Sequence, residues 1–290
     1  MTAAVTGAPL PVAPVLAPAR GLGHELRAIR VVWLRDLQRF WAEKARIASS
    51  LMQPLLLLFV LGKGLAATVG ARPGGGDYTT FLFPGVMATG VMFTAVFSAI
   101  SIVWDREFGF LREMLVAPIG RTSIVVGKCL GGATVSTFQG LIILALAGLV
   151  HVPYDPVLLA GCAGLVFLTA FSITAFGLVL AVRVQTVQTV MPLVQLLLTP
   201  LMFLSGSLFP AGGDIPGWLR VATRLNPMSY AVDAIRQLVV HFLPAGDRPG
   251  LNGGLTWWGW PVPAWLDVVV VLAAGLALLG VAAIAFARDD

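Results

Sequence analysis

Charge is scarce in this sequence. Of 290 residues, Asp and Glu supply 14 and Lys and Arg 19, together 11%. Cysteine is nearly absent: Cys129 and Cys162 stand in apolar runs, without Cys-x-x-Cys spacing or a nearby histidine, and read as free core thiols rather than a disulfide framework. The three histidines, His24, His151 and His241, are far apart, so no metal site is expected. Three signatures of chemistry are missing. There is no G-x-x-x-x-G-K-[ST] phosphate loop, no H-E-x-x-H and no G-x-S-x-G. The chain cannot hold ATP in the usual way, no catalytic residue is expected, and no cofactor is expected in the chain itself. No apolar run carries an acid deep inside it, since Asp267 lies near the outer end of the last. A proton- or sodium-driven carrier usually keeps such a group as its relay.

What is abundant is hydrocarbon. Hydrophobic residues make up 58% of the chain and the mean hydropathy is +0.89, where soluble domains sit at about 45–50% apolar. Windows of about 20 apolar residues recur, the length a helix needs to cross a bilayer. A transmembrane β-barrel would show alternation instead. The expected class is an all-α integral membrane protein, multi-pass in the plasma (inner) membrane. Net charge is +5, but the basic residues flank apolar segments, so they read as topology signals and not as a nucleic-acid surface.

Six spans are expected, at about 47–66, 81–104, 122–150, 157–182, 187–209 and 264–286. The third is overlong and expected to begin below the membrane. Residues 1–23 form a disordered cytoplasmic tail, with four prolines before Arg20 and no basic n-region of a signal peptide. Residues 24–290 form one transmembrane domain. Between 24 and 45, Leu26, Ile29, Trp33, Leu37, Phe40 and Trp41 recur at steps of three and four, with Arg27, Arg35, Arg39 and Glu43 mostly opposite. This pattern predicts an amphipathic helix lying in the membrane interface. With both termini inside, thirteen Lys and Arg fall in inner segments against six in outer ones, which favours cytoplasmic termini. In the outer loop 210–263, Asn226-Pro227 divides "IPGWLRVATRLNPMSYAVDAIRQLVVHFL" into two short helices, expected to dip into the outer leaflet. "TWWGWPVPAW" reads as an aromatic belt.

The densest charge cluster is "DREFGFLREMLVAPIGR", Asp105–Arg121, with six charges in seventeen residues between two apolar runs. Read as a helix, Phe108, Leu111, Met114 and Leu115 share one side. Arg106, Glu107, Arg112 and Glu113 cover much of the rest, and Phe110 lies off the stripe. Two readings stand: a short helix whose apolar ridge fits a protein groove, and a solvated loop obeying the positive-inside rule.

"DREFGFLREMLVAPIGR", followed by an overlong span and then by "LNPMSYAVDAIRQ", resembles the permease subunits of ABC-2 type exporters over residues 24–288. The nearest likeness is to the daunorubicin-resistance-like branch, with polysaccharide and teichoic acid exporters as relatives. The resemblance implies six spans, an interfacial helix, a cytoplasmic coupling helix and re-entrant outer helices carrying Asn226, Pro227, Tyr230, Asp233 and Arg236. It implies a coupling helix of Asp105, Arg106, Glu107, Phe108, Leu111, Arg112, Glu113 and Met114 docked in a separate ABC ATPase subunit, which holds ATP and Mg. It implies a second permease, identical or homologous, with cargo passing between the two along the second and fifth spans. Candidates for that path are Met92, Phe93, Phe97, Gln195, Thr199, Met202 and Phe203. Gln195 could equally serve an interhelical hydrogen bond. The cargo the resemblance implies is a hydrophobic or amphipathic molecule, as in multidrug efflux and antibiotic resistance. A lipid-linked glycan exporter, or a membrane sensor or scaffold for an ATPase, remain the alternatives. Membrane lipids are expected partners and nucleic acid is not.

Overall fold

A computed structural model describes residues 21–64, 78–116, 119–209, 215–244 and 254–288, with the side chains of Arg46, Arg112, Glu113 and Leu115 also outside it. The expected tail lies outside the described residues up to position 20. The described chain is helical, apart from one small β-hairpin.

Helix α1, Leu22–Ala42, is followed at once by α2, Lys44–Leu56, which continues through a π-turn at Leu57–Leu61. Then come α3, Tyr78–Ala99, and α4, Ser101–Glu107, which together run as one 30-residue apolar helix. A short α5, Phe110–Val116, leads to α6, Arg121–Leu144, and a 3-10 turn at Ala147–Val150. Helices α7, Pro156–Arg183, and α8, Val187–Leu204, precede the paired α9, Gly217–Leu225, and α10, Pro227–Phe242. The hairpin β1, Thr256–Trp257, and β2, Trp260–Pro261, delivers the chain into α11, Ala264–Arg288.

Local chemistry fixes several of these ends. Asp155 caps α7 by accepting from Val157 N at 2.8 Å and Leu158 N at 3.2 Å, with Pro156 at the first helical position. Asn226 does the same for α10, accepting from Met228 N at 3.0 Å ahead of Pro227. The π-turn begins three residues after Pro54, whose missing N–H frees the Ser50 carbonyl. Gln139 Nε2 on α6 donates to that carbonyl at 3.0 Å.

Five stretches are long and apolar enough to cross a membrane: Ile47–Gly64, Tyr78–Glu107, Pro156–Arg183, Val187–Leu204 and Ala264–Arg288. Helix α6, where the third span was expected, is not one of them. Its 24 residues rise about 36 Å, but Lys128, Gln139 and several Gly, Ser and Thr dilute its apolarity. The reason is position. Helix α6 packs against α1, α3, α7 and α11, so protein rather than lipid surrounds it and polar groups find partners there. Small residues bring it close. A Cβ on Gly132 would sit 2.6 Å from Thr174 Cγ2, and one on Gly140 would sit 2.5 Å from Val166 Cγ1. Helices α2 and α8 are the opposite case. They pack on the bundle along one side only and expose Met52, Leu56 and Val60, and Leu196 and Phe203.

The amphipathic helix expected between 24 and 45 forms as α1. Helix α1 buries Ala28, Val32, Asp36 and Phe40 against α6 and leaves Leu22, Leu26, Val31, Leu34 and Trp41 exposed. Its protein-facing stripe therefore contains an acid, and part of its apolar stripe faces away from the protein.

Candidate functional site

The α4–α5 corner holds the cluster Asp105–Arg121. Its first three charged residues all bond within the chain, Asp105 from a buried position and Glu107 from an exposed one. Asp105 is 2% exposed. Its Oδ2 accepts from Arg35 Nη2 at 2.7 Å and Lys128 Nζ at 2.6 Å, and its Oδ1 lies 3.6 Å from Arg39 Nη1. Lys128, 1% exposed, also donates to Asp36 Oδ1 at 3.0 Å and Ser101 Oγ at 3.1 Å. One ammonium thus ties the interfacial helix to the end of the second span from the centre of the bundle. Burial outweighs Lys128 at Asp36 and holds that carboxyl above the ordinary carboxylate range.

Arg106 donates to the Val182 and Val184 carbonyls, both at 2.8 Å, at the C-terminal end of α7. Glu107 Oε2 accepts from Val187 N at 2.9 Å, at the N-terminus of α8. Each charge meets the helix end whose dipole and orphan backbone groups suit its sign. Glu25 on α1 accepts from Gly120 N at 3.1 Å and Ser123 Oγ at 2.5 Å, which fixes the far end of the segment. The chain by itself thus engages the charges of Asp105, Arg106 and Glu107, which the resemblance assigns to the coupling helix. Opposite charges and helix termini of the same chain already engage them.

Gly109, with φ at +85°, makes the turn between α4 and α5 that glycine adopts without strain. Beyond it, Leu111 is turned inward at 5% exposure and Met114 packs against the core. Leu111 is therefore a core residue and not the outward crest of a ridge. The apolar side chains offered outward are Phe108, 71% exposed, Phe110, 52%, and Val116. Phe110, off the stripe in the sequence reading, is on the exposed face. Arg112 and Glu113 have side chains outside the described set. Beside α5 runs a groove of about 440 Å³ between α1 and α5, lined by Arg27, Val31, Val32, Phe110, Met114 and Ile119.

The candidate path residues do not form one surface within the chain. Met92 is fully buried. Phe93 and Phe97 line a cavity of about 250 Å³ with Phe40, Ser49, Ser50, Gln53, Thr94 and Val135, from α1, α2, α3 and α6. No residue of α8 lines it. Gln195, Thr199, Met202 and Phe203 lie on α8, with Gln195 and Phe203 exposed. Gln195 Nε2 donates to Thr199 Oγ1 at 3.3 Å one turn away, so its bond is within the helix.

At the opposite end of the bundle, α9 and α10 close over the end of α8. Asn226 Nδ2 donates to Leu201 O at 2.8 Å, Ser229 Oγ to Leu204 O at 3.0 Å and Arg236 Nη2 to Gly206 O at 2.7 Å. The Leu201 and Leu204 carbonyls are ones that a helix C-terminus leaves without intrahelical donors, and Gly206 lies in the turn just beyond. Tyr230 donates to Arg224 O at 2.7 Å and accepts from Trp257 Nε1 at 3.2 Å, which ties in the hairpin. Asp233 accepts from Leu255 N at 3.1 Å.

Sequence reasoning missed Lys128 and Asp36 as a site, and Gln139 as a joint between helices. A lysine inside an otherwise apolar helix was the available signal. Asp36 carried none, because an acid on an amphipathic helix reads as solvated.

The family model described as "ABC-2 type transporter" matches residues 27–240. Nodulation protein J of Rhizobium leguminosarum bv. trifolii is 32% identical over 215 residues, 72% of this chain and 80% of that protein. Nodulation protein J of Rhizobium meliloti (strain 1021) is 28% identical over 214 residues, 72% of this chain and 80% of that protein. The probable multidrug ABC transporter permease YbhR of Escherichia coli (strain K12) is 30% identical over 171 residues, 56% of this chain and 44% of that protein.

Proposed function

The chain belongs to the ABC-2 type transporter family, and on that premise we propose that it is the permease subunit of an ATP-driven exporter of a hydrophobic or amphipathic molecule. It is a membrane transport component and not itself an enzyme, and permeases of this family work with ABC ATPase subunits. In this reading a separate ATPase holds ATP and Mg and docks on the α5 face from the cytoplasm, and both termini lie on that side of the inner membrane. Helix α6 counts as the third span and brings the number to six. The observation that carries the reading is the α4–α5 corner: Phe108 and Phe110 are exposed on a segment anchored by Asp105, Arg106 and Glu107 into α1, α6, α7 and α8. Apolar side chains held out on a fixed support suit a protein groove. The support contacts the ends of three expected spans, so a push on α5 reaches them directly.

A second permease covers the exposed sides of α2 and α8, and cargo passes between the two copies along Phe93, Phe97, Gln195, Thr199 and Phe203. Aromatic and aliphatic lining suits drug-like or lipid-like cargo. The multidrug relative supports a drug or antibiotic over a lipid-linked glycan.

The test is Phe108→Asp and Phe110→Asp, assayed by ATPase co-purification and cargo transport, each normalised to permease level. Both changes fall on exposed positions, so expression and thermal stability stay at the parent's level. Co-purification falls at least about tenfold, because an unpaired carboxylate buried in a partner groove costs several kcal/mol. Parental assembly and transport in both variants overturn the docking role. Assembly with ATP turnover but no cargo movement favours a scaffold.

A further inference from the structure

Between α10, α11 and the hairpin, at the end of the bundle away from α5, two carboxylates are buried side by side: Asp233, 2% exposed, and Asp267, 0%. Gln237 Nε2 stands 2.9 Å from Asp233 Oδ2, 3.0 Å from Asp267 Oδ2 and 3.0 Å from the Val262 carbonyl. An amide nitrogen has two hydrogens, so it cannot satisfy three acceptors. Among the described residues one further donor reaches the pair, Leu255 N on Asp233 Oδ2. Asp233 Oδ1 and Asp267 Oδ1 are both buried without a partner. The cluster holds more acceptors than donors.

No ion pair among the described residues reaches either carboxylate. Arg236, on the same helix as Asp233, directs its Nη2 to Gly206 O and sits 4.3 Å above the Phe81 ring. Arg224 lies 5.7 Å from the Trp258 ring. Two adjacent buried negative charges are strongly unfavourable, and Arg236, turned to the Gly206 carbonyl, offsets only part of the charge on Asp233.

We propose that Asp233 and Asp267 form a binding site for a hard divalent cation of the Ca²⁺ or Mg²⁺ class. A divalent ion cancels both charges, whereas a shared proton or a monovalent ion leaves one. The donors are oxygens, with no sulfur and no imidazole among the contacts above, which suits a hard cation and not zinc. Turning the Gln237 amide about its axis exchanges Nε2 for Oε1. The cation then meets two carboxylates, an amide oxygen and the Val262 carbonyl. The described residues contain no group of three or more His, Cys, Asp or Glu able to hold a metal. Two carboxylates place the site with the weaker extracellular calcium modules, which bind at about 10⁻⁴–10⁻³ M. Gln237 also lines an open groove of about 620 Å³ between α7, α10 and α11. The bound ion joins α10, α11 and the hairpin. The proposal does not depend on what cargo the protein moves, or on whether it moves any.

The experiment uses the full chain in lipid nanodiscs. Tb³⁺ luminescence is excited through tryptophan and tyrosine, with Tyr230 and Trp257 on the elements that build the site, and Ca²⁺ competes. The parent gives a saturable signal that millimolar Ca²⁺ reverses, and Ca²⁺ raises its Tm saturably. Asp267→Asn and Asp233→Asn weaken Ca²⁺ competition about tenfold or more. Gln237→Glu, which adds a third carboxylate, strengthens it. A folded parent without saturable Tb³⁺ signal or Ca²⁺-dependent Tm overturns the proposal, and so does a Tm that responds to acidification alone, the mark of a shared proton. Unchanged Ca²⁺ competition in either folded Asp→Asn variant, or in Gln237→Glu, overturns it as well.

Discussion

Lys128 is the single side chain on which the α5 end of the bundle converges. Removing it in Lys128→Met leaves Asp36 and Asp105 buried with less counter-charge, a change that costs about 3–5 kcal/mol where a buried pair is broken. The expected result is a clear fall in Tm in nanodiscs. The double variant Lys128→Met/Asp36→Leu removes one stranded acid and recovers part of the loss, because Arg35 and Arg39 still face Asp105. A double variant no more stable than the single would show that the loss comes from packing and not from charge. Asp36 adds a pH dependence. Burial raises its folded-state pKa above the ordinary carboxylate value of 3.8, so the folded chain holds its proton more tightly than the unfolded chain. Its contribution is therefore fully present below 3.8 and is lost as pH rises from there through the folded value. Asp36→Asn removes this component. Tm profiles of parent and variant that run parallel through that window would contradict the assignment.

At the scale of elements, Pro54 and Gln139 make one joint. Proline frees the Ser50 carbonyl within α2, and Gln139 on α6 supplies the missing donor while it also bonds Thr94 on α3. Gln139→Leu leaves two helices with unmet polar groups and lowers stability by about 1–2 kcal/mol. Pro54→Ala restores a backbone N–H at position 54, so Gln139→Leu costs less in that background. A double-mutant cycle on Tm measures the coupling, and strict additivity would break the link. The same scale changes how the coupling segment is probed. Leu111→Asp puts a charge into the chain's own core, so a loss of function there would report misfolding. Phe108 and Phe110 are the positions that report docking.

For the whole molecule, the contacts sort the chain into two ends. Residues 105–107 touch 182–187, Glu25 touches 120–123, and Arg121 Nη1 donates to Ala287 O at 3.5 Å. At the other end Tyr78 donates to Leu208 O, Thr80 to Val150 O, and Asp233 meets Leu255. On the proposed orientation, in a variant lacking Cys129 and Cys162, a cysteine at Trp258, 90% exposed, is labelled from outside the cell, and one at Val116, 87% exposed, only after the membrane is opened. The reverse labelling would invert the proposed orientation. Cysteines at exposed Leu196 or Met52 form cross-linked dimers if a second permease covers those sides. Monomers alone under oxidation would remove α2 and α8 as the shared surface.

The sequence by itself determined the class and most of the helices. Apolar runs of membrane length leave few folds open, and Asn226-Pro227 and Asp155-Pro156 announce helix starts by local chemistry that needs no tertiary partner. The two motifs around Asp105 and Asn226 carried the family. Only the tertiary structure decided what the charges do. Asp105 and Phe108 are three residues apart on one short charged stretch, yet one is buried against Lys128 and the other stands in the open. Periodicity fixes which side chains share a helix face, but not what that face meets. Helix α6 shows the same limit: hydropathy scores a helix as if lipid surrounded it, while α6 is surrounded by protein that satisfies Lys128 and Gln139. Asp233 and Asp267 are 34 positions apart in sequence, and no local pattern could show that the fold of α10 against α11 would bring both to one glutamine.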